Sequence, residues 1–501
     1  MPDASITSDA GASPDAGTAW DGGTGEPEVY PLELVLPRQA GTAPSSDPGV
    51  PSMPSGHRIF KAYPGIEYNI RAAVIGGSYP YRFSLGSAPP GMTVDARTGE
   101  IRWPNPSGTT VSPTLTVTDA AGAQRSAPWT ITVTTAGFRF ISSGGGSDAN
   151  DGSLAAPWAT LAKVKSSGQP GDIVYFRAGT YRTSGMAVSG GTAWLRVEFT
   201  GAAHPVQWLA YPGEKPVIDN DYVPNVNNGR FIRLGGTTTY PVYIDGLELT
   251  HSWHIALQFA SGSCHYSVFR RLDVHDIAQA IDGANSAGIM TLSNYAAPTW
   301  YGVFQDIDFH DNAPGGIKLY SHKKVLWEDC RFRSSVWGPD LKAHVPRFEV
   351  RGCHFHGNTG AYAGLYGNMN FGGGGQGETA SGEWRFNRFD CVDSPSVWAM
   401  DVNQDGMAGR IDIYRNTVKG TVRVRNIEAS SPDGPFRFYK NVIVNSAGGT
   451  DRITLESVSD PSRVQSADNL TGSPGDNIID ASGNLTAGYS SYLGTHGHQI
   501  P

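Results

Sequence analysis

Cysteine, charge and long apolar runs are all scarce in this sequence. Its 501 residues include only 4 cysteines, too few for a disulfide framework. No run of 18 apolar residues occurs, which excludes a membrane span formed by an ordinary helix. Charged residues make up 17% and the formal net charge is −8, a balance that does not favour nucleic acid as a partner. Glycine, with 63 residues, and proline, with 34, are abundant instead, as expected of many short strands joined by turns.

One short unit recurs along the chain. The segments 304–309, 327–332 and 350–355 share a template: an apolar residue, two polar or small residues, then an apolar, a polar and an apolar residue. They begin 23 residues apart, and the template returns at 244–249, 269–274, 386–391, 413–418 and 438–443. A fixed period with period-two apolar runs and no helical pattern predicts a solenoid of stacked strands, a parallel β-helix. Its turns stack about 4.8 Å apart, so equivalent template positions form columns.

The chain begins with a polar stretch of low complexity. Residues 1–50 are rich in Asp, Ala, Gly, Thr, Ser and Pro, which predicts a disordered linker. This stretch resembles the tethers that follow the cleaved signal of secreted or surface lipoproteins in predatory soil bacteria. The resemblance implies that the protein is secreted or tethered to the cell surface. No signal peptide stands at residues 1–4, so this interpretation expects the signal to have been removed.

Residues 51–136 alternate apolar and polar residues in short runs, as at 68–74, 114–118 and 129–133. That spacing predicts a small β-sandwich. The stretches 88–95, 98–103 and 119–122 resemble the immunoglobulin-like modules of bacterial surface proteins. The resemblance implies a spacer or a carbohydrate-binding module, and the segment contains no catalytic constellation.

Residues 137–501 are predicted to form a right-handed parallel β-helix. The stretches 146–153, 157–161 and 171–181 resemble the entry turn of right-handed β-helix proteins, many of which are polysaccharide lyases of the pectate lyase-like superfamily. The resemblance extends from residue 138 to about 460 and implies the fold rather than a particular chemistry. Residues 159–165 are predicted to form a short helix that caps the open end of the core.

A further strand in each turn carries residues that indicate chemistry. If the aliphatic residues Ile289, Ile317, Leu341 and Leu365 face inward, alternation places basic, aromatic and amide side chains outward. The outward set is Lys318, Tyr320, Lys342, His344, Tyr366, Asn368, Arg423 and Arg425. This alignment stacks Lys318 on Lys342 and Tyr320 on His344. Two adjacent ammonium groups are costly without an anion between them, so this face predicts an anionic polysaccharide, such as a polyuronate, as the partner.

β-Elimination on a uronate needs a cation to neutralise the carboxylate, a base for the proton at C5 and an acid for the leaving oxygen. The alignment predicts Lys342 as the base, with its pKa lowered by Lys318. Tyr320 or His344 would act as the acid. The predicted substrate-binding residues are His322, Trp337, Tyr366, Asn368, Arg423 and Arg425. The predicted function is therefore a monomeric polysaccharide lyase.

Two other functions are compatible with the same fold. A glycoside hydrolase would take its carboxylates from Asp308, Asp340 or Asp401. Hydrolysis needs two carboxylates that flank the bond, and no such pair appears on the predicted face. A non-enzymatic surface adhesin would hold the glycan without cleaving it.

One segment suggests a calcium site. Asp401, Asn403 and Asp405 have the oxygen-ligand spacing of the first half of a calcium loop, and Asp412 stands at the twelfth position. Calcium is therefore a candidate cofactor, bound by Asp401, Asn403 and Asp405. The alternative is a plain turn rich in Asp and Asn.

A histidine column forms a second candidate feature. His275, His310 and His356 occupy equivalent template positions, with Arg333 between the last two. We predict that these are solvent-exposed turn residues. The alternatives are a metal site or a second face of the cleft.

Overall fold

The computed structural model describes most of the chain beyond its N-terminal stretch. The described residues are 29–189, 195–221, 230–253, 255–259, 265–277, 287–291, 299–312, 315–319, 322–333, 340–341, 347–357, 364–366, 380–391, 393, 398–403, 408–427, 434–480, 482 and 484–498. Within them, no helix is both long enough and apolar enough to cross a membrane.

Three parallel sheets confirm the predicted β-helix, and we number them in the order in which the chain visits them in each complete turn. Sheet 1 has 12 strands: Phe138–Ile141, Ile173–Phe176, Gln207–Ala210, Tyr243–Asp245, Ser267–Arg270, Gly302–Gln305, Lys324–Glu328, Arg347–Arg351, Ala380–Arg385, Ala408–Tyr414, Phe436–Tyr439 and Val464–Ala467. Sheet 2 has 11: Gly179–Arg182, Pro216–Asp219, Glu248–Thr250, Asp273–His275, Asp308–His310, Arg331–Arg333, His354–His356, Arg388–Asp390, Thr417–Lys419, Val442–Val444 and Leu470–Gly472. Sheet 3 has 10: Leu195–Thr200, Arg230–Gly235, Ile255–Phe259, Ala287–Thr291, Gly315–Leu319, Asp340–Leu341, Gly364–Tyr366, Trp398–Asn403, Thr421–Ile427 and Ile453–Val458.

The sequence template corresponds to the corner between sheets 1 and 2, except that the copy predicted at 386–391 lies at 384–389, because Trp384 pairs with Val350 and Phe389 with Phe355. In one turn, Phe304 is the last residue of its sheet 1 strand whose side chain points into the core. Asp306 then makes the corner with φ 55°, and the side chains of Ile307 and Phe309 are again buried. Asp329 makes the same corner one turn later with φ 54°. Asp tolerates this left-handed conformation better than most residues, which explains its place in the template. The repeated apolar positions therefore stack into one continuous core.

Towards the C-terminal end, asparagine replaces the apolar residue just after this corner. Asn387, Asn416, Asn441 and Asn469 form a ladder, buried except at Asn469, in which the Oδ1 of each of the last three accepts from the Nδ2 of the asparagine one turn earlier. Each Oδ1 also accepts from the backbone N–H of that earlier residue, at 2.9–3.0 Å. The ladder satisfies buried backbone groups that the tight corner leaves unpaired.

A short α-helix, Leu161–Ser167, covers the first turns. Thr160 caps its N-terminus by accepting from the N–H of Lys163, and Leu161 and Val164 are buried in the solenoid core. The predicted cap is confirmed, with its bounds two residues further along than expected. Four short 3₁₀ helices lie at Arg58–Phe60, Thr450–Arg452, Pro461–Arg463 and Ala487–Tyr492.

The N-terminal domain is a β-sandwich, as predicted. Its strands are Glu33–Leu36, Lys61–Ala62, Tyr68–Arg71, Ala73–Ile75, Arg82–Gly86, Thr93–Val94, Glu100–Trp103, Thr110–Val111, Thr114–Thr118, Gln124–Pro128 and Ile131–Val133. The prediction of a linker up to residue 50 is wrong at Glu33–Leu36, which pairs antiparallel with Ala73–Ile75. The run Leu32 to Leu36 is apolar at four of its five positions, and Leu34, Val35 and Leu36 are buried in the sandwich core.

The sandwich packs along the outer face of sheet 1 and is not a separate spacer. Outward residues of the first turns, such as Tyr175, Tyr243 and Val303, share one apolar cluster with the sandwich. Further along, charged groups take over: the Arg71 guanidinium lies 2.9 Å from Asp306 and 2.5 Å from Asp329. These contacts bury the outer face of sheet 1 and leave the outer faces of sheets 2 and 3 as candidate functional surfaces.

Candidate functional site

The outer face of sheet 3, where the sequence predicts the site, keeps the expected alternation where its side chains are described. Ile289 and Ile317 are buried as predicted, and so are Leu319, Val402, Val422 and Val424. The side chains of Leu341 and Leu365 lie outside the described residues. Lys318 occupies the strand position between the buried residues Ile317 and Leu319.

The predicted register on sheet 3 is right between Ile289 and Ile317 and between Leu341 and Leu365, but it is wrong by two residues between the strands Gly315–Leu319 and Asp340–Leu341. Lys318 pairs with Asp340, and Leu319 pairs with Leu341, so Lys318 is not the register partner of Lys342. The alignment paired Leu341 with Ile317, which lies two residues away from the observed partner, Leu319. The argument that two stacked ammonium groups demand an anion therefore fails for this pair.

Several predicted site residues lie outside the described part of the chain. These are Tyr320, Trp337, Lys342, His344, Asn368 and Asp405. For Tyr366 and Asn403, as for Lys318, the structure describes only the backbone, which lies in strands of sheet 3. Their predicted roles stay predictions.

His322 does not fit its predicted role in substrate binding. Its side chain is fully buried, and its ring meets the Phe259 ring edge-on, with centroids 5.6 Å apart. Residue 322 forms a bridge with Thr299 at the point where the chain leaves sheet 3 for sheet 1. A sugar bound on the outer surface cannot reach this imidazole.

Arg423 and Arg425 lie on the outer face but bind a carboxylate of the protein itself. Asp401 is the register partner of Arg423 and is buried. Arg423 donates to both oxygens of Asp401 at 3.1 and 3.0 Å. Arg425 does the same at 3.1 and 2.9 Å. We call Trp398, Asp401, Arg423, Arg425 and Glu456 the Asp401 cluster.

This cluster is nearly neutral and preorganised. The guanidinium carbon of Arg423 lies 3.5 Å above the Trp398 ring centroid, and its remaining nitrogen donates to Glu456 at 2.9 Å. The charges of the two arginines are thus balanced by two carboxylates. Arg425 is the more accessible of the two arginines, because 24% of its side chain is exposed. Both arginines were predicted to bind substrate carboxylates. For Arg423 this prediction is corrected to a structural role, because its guanidinium is occupied by Asp401 and Glu456.

The same contacts oppose the predicted calcium ligand at Asp401. Both oxygens of its carboxylate already accept from two guanidinium groups, whose charge repels a cation. Asp412, the expected twelfth residue of the loop, lies in a sheet 1 strand, where both its oxygens accept from Arg437. Because the two carboxylates belong to different sheets, they do not form one loop site.

The histidine column on sheet 2 is confirmed as a column, but the prediction of solvent-exposed turn residues is wrong. His275, His310 and His356 each end a strand of sheet 2 and are half-buried. His275 pairs with His310, His310 with Arg333, and Arg333 with His356. The rings of His275 and His310 stack with centroids 4.8 Å apart at an angle of 11°. Burial acts to lower the pKa of His275, but hydrogen bonds to Asp276 and Glu248 outweigh it and the pKa is raised.

Sequence analysis missed the repeated motif around these histidines. Asp273-Val274-His275-Asp276 and Asp308-Phe309-His310-Asp311 share the pattern Asp-x-His-Asp in consecutive turns. The repeat was visible once the template had been aligned, because each motif begins at the penultimate position of the template. Each of these two histidines is flanked by two aspartates, so the repeat also brings four carboxylates into consecutive turns.

An acidic groove of about 280 Å³ lies beside this column, at the corner between sheets 1 and 2. Its carboxylates come from Glu248, Asp273, Asp306, Asp308 and Asp329, and its cations from Lys215, Arg271 and Arg331. Each carboxylate has a partner: Arg71 contacts Asp306 and Asp329, Arg333 contacts Asp308, and the two histidines contact Glu248 and Asp273. The groove is thus acidic but internally paired.

Comparison with family models matches the N-terminal domain. Residues 54–134 match the family model described as "Putative Ig domain", in agreement with the predicted immunoglobulin-like module. The search of curated proteins found no match.

Solved β-helix structures are similar at low identity. Pectate lyase Pel9A is 14% identical over 73% of this chain and 87% of its own, with a TM-score of 0.43. A rhamnogalacturonan lyase is 15% identical over 72% of this chain and 99% of its own, with a TM-score of 0.46. A family 28 exopolygalacturonase from Yersinia enterocolitica is 11% identical over 83% of this chain and 97% of its own, with a TM-score of 0.41. These likenesses concern the fold and assign no activity.

Proposed function

We propose that this protein is a polysaccharide lyase that cleaves an acidic, uronate-containing polysaccharide on the outer face of sheet 3. The observation that carries the proposal is the geometry of this face. Ten parallel strands, stacked about 4.8 Å apart, form a strip roughly 40 Å long, which suits an extended linear polymer. The immunoglobulin-like domain covers sheet 1 instead, so it leaves this strip accessible.

The polar groups on the strip supply the chemistry that β-elimination needs. Arg425 is partly exposed, and the half-buried Trp398 ring offers an apolar surface beside it. Arg425 is the candidate for neutralising a uronate carboxylate. We assign the base to Lys342, with Tyr320 or His344 as the acid.

The corrected register changes the part played by Lys318. Its register partner is Asp340, so an opposite charge, not a second ammonium group, stands at the adjacent position. Lys318 is therefore assigned to substrate binding, and it no longer lowers the pKa of Lys342.

Hydrolysis on sheet 3 is the weaker alternative. Of its three candidate carboxylates, Asp401 is buried between two arginines and Asp308 lies on sheet 2 in contact with Arg333. Of the three, this leaves Asp340, in a strand of sheet 3. Glu456 lies on the same sheet but accepts from Arg423, and a glycosidase needs two carboxylates that flank one bond.

A panel of uronate polysaccharides tests the proposal. Product should appear as the absorbance of an unsaturated sugar, and Lys342→Ala should lower the rate by about 10²–10⁴-fold, as expected for the loss of a general base. Lys318→Ala should mainly raise KM, and Tyr320→Phe should retain binding but lose turnover if Tyr320 is the acid. New reducing ends without that absorbance would indicate a hydrolase, and binding without either product would indicate an adhesin.

The proposed activity is consistent with a location outside the cell, where polysaccharides occur. We therefore retain the proposal that the protein is secreted or tethered to the cell surface and acts as a monomer. Fractionation of the native cells with an antibody to the chain, followed by size-exclusion chromatography, tests both statements.

A further inference from the structure

The repeated Asp-x-His-Asp motif places two imidazoles and several carboxylates on the outer face of sheet 2. One oxygen of Asp273 and one ring nitrogen each of His275 and His310 all lie within 4.8 Å of one another. The histidine side chains are 17% and 16% exposed, and that of Asp273 is 50% exposed. The three groups are thus close together and reachable from solvent.

The ring nitrogens divide into two sets with different partners. Nε2 of His310 lies 2.8 Å from Asp273, and Nε2 of His275 lies 3.2 Å from Glu248. Glu248 is the register partner of Asp273, one turn earlier, so all four groups occupy two adjacent columns of the sheet. The Nε2 atoms therefore point towards the carboxylates that would complete a coordination sphere.

The opposite nitrogens are held by the last residue of each motif. Nδ1 of His275 lies 2.8 Å from Asp276, and Nδ1 of His310 lies 2.7 Å from Asp311. Both aspartates adopt left-handed backbone conformations, with φ of 54° and 51°, which turn their carboxylates back towards the rings. A carboxylate that accepts from Nδ1–H fixes the tautomer whose Nε2 lone pair can bind a metal.

We propose that His275, His310, Asp273 and Glu248 form a binding site for a zinc-class divalent cation, with Asp276 and Asp311 orienting the two imidazoles. Two imidazoles and two carboxylates suit Zn²⁺, which commonly takes four ligands at about 2.0–2.2 Å. Imidazole ligands disfavour Ca²⁺, which prefers oxygen alone. Asp273, His275 and His310 already lie within 4.8 Å of one another, and Glu248, one turn earlier beside Asp273, is the fourth ligand that rotation of its side chain brings in.

The surroundings supply a path for the ion and a limit to the site. Glu248 and Asp273 both line the acidic groove, so a cation can approach through a region of negative charge. One turn further on, Arg333 replaces the histidine and binds Asp308 through both nitrogens of its fork. The site therefore does not extend to this turn, because the positively charged guanidinium of Arg333 cannot bind a cation. The site is separate from the proposed lyase face on sheet 3 and does not depend on it.

Calorimetric titration of the full, tag-free chain with ZnCl₂ tests the proposal. We expect one equivalent of Zn²⁺ to bind, and the double variant His275→Gln with His310→Gln to bind at least tenfold more weakly. Asp311→Asn leaves every ligand in place and should weaken Zn²⁺ binding about 10–100-fold, as is typical for partners of metal-ligating histidines. Titration with CoCl₂ should give visible absorption bands in the wild type that the double variant lacks.

His356→Gln is the matched control, because it lies two turns further along the same column next to Arg333 and outside the proposed ligand set. It should bind Zn²⁺ as the wild type does. If the double variant fails to fold, Asp273→Asn, at a half-exposed position, replaces it in the same titration. The proposal is overturned if the wild type takes up no stoichiometric Zn²⁺, or if the folded ligand variants bind it with unchanged affinity.

Discussion

At the scale of single residues, the Asp401 cluster shows how a basic surface can be internally neutralised. Alternation correctly predicted that Arg423 and Arg425 lie outward, since Val422 and Val424, on either side of Arg423, are buried. Their partner could not be predicted, because Asp401 lies 22 and 24 residues away and contacts them only through the register of two neighbouring turns. Sequence alternation predicts whether a side chain points inward or outward. The lengths of the loops set the register between strands and therefore determine which charged group the side chain contacts.

We expect Asp401→Asn to destabilise the protein by about 3–5 kcal/mol, because it leaves two guanidinium groups side by side without their common anion. Arg423 is only 8% exposed, so water cannot fully replace the lost carboxylate. Urea unfolding at pH 7 measures the change. The control is Glu456→Gln, whose side chain is 54% exposed and contacts the same Arg423. That variant should lose less than about 1 kcal/mol. Equal effects in the two variants would contradict the central place of Asp401.

At the scale of elements, the stacked turns were predictable because one template dictates both the corner and the core. Ile307, Cys330 and Cys353 follow the corner in successive turns and are all buried, as the template requires. Cys330 and Cys353 are free thiols that pack as small apolar groups in the solenoid core. Register on sheet 3 was predicted correctly at two steps and wrongly between Ile317 and Leu341, because insertions of different length separate its strands and no template fixes their pairing.

The asparagine ladder should contribute strongly to the stability of the C-terminal turns. Asn416→Ala removes the acceptor for the N–H and Nδ2 groups of Asn387 and the donor to the Trp384 carbonyl oxygen. Since these groups are buried and have no access to water, we expect a loss of at least about 2 kcal/mol in urea unfolding. Asn477→Ala, at an exposed position, should change stability by less than about 0.5 kcal/mol. A result near zero for Asn416→Ala would mean that the neighbouring turns readily re-form these hydrogen bonds.

The docking of the two domains should be sensitive to acid through His57. Burial of this imidazole, together with the charge of Arg58, lowers its pKa to about 3, although a hydrogen bond to the Tyr266 carbonyl oxygen acts in the opposite direction. Because the pKa is near 6.5 in the unfolded chain, the unfolded state takes up a proton first as the pH falls. The contribution of His57 is therefore complete above about pH 6.5 and declines by up to about 1.4 kcal/mol per pH unit towards pH 3.

Urea unfolding between pH 7 and pH 4 measures this decline. His57→Gln should flatten the dependence of the unfolding free energy on pH, even if it lowers stability at pH 7. Asn477→Ala, at an exposed position without a titratable side chain, should leave the slope unchanged. If His57→Gln retains the full slope, other groups are responsible for the acid sensitivity.

At the scale of the whole molecule, the close packing of the sandwich on the β-helix was not predicted from the sequence. The division into a sandwich and a solenoid follows from local patterns, but the interface combines residues hundreds of positions apart, such as Tyr30 and the Arg410 carbonyl oxygen. One signal was present: the strands Phe138–Ile141 and Ile173–Phe176 are apolar at nearly every position instead of alternating. A strand with two apolar faces needs a cover on each side.

This cover predicts that the two domains unfold as one unit. Deletion of residues 1–135 exposes the apolar outer face of sheet 1, including Tyr175, Tyr243 and Val303, together with charges such as Glu349 that the sandwich buries. We expect the shortened chain to bind a hydrophobic dye and to associate on size-exclusion chromatography. The full chain should show a single calorimetric transition in which the calorimetric and van't Hoff enthalpies agree. Deletion of residues 1–28 alone should change neither property, because the first strand of the sandwich begins at Glu33. A shortened chain that stays monomeric with an unchanged melting temperature would show that the β-helix does not need the sandwich.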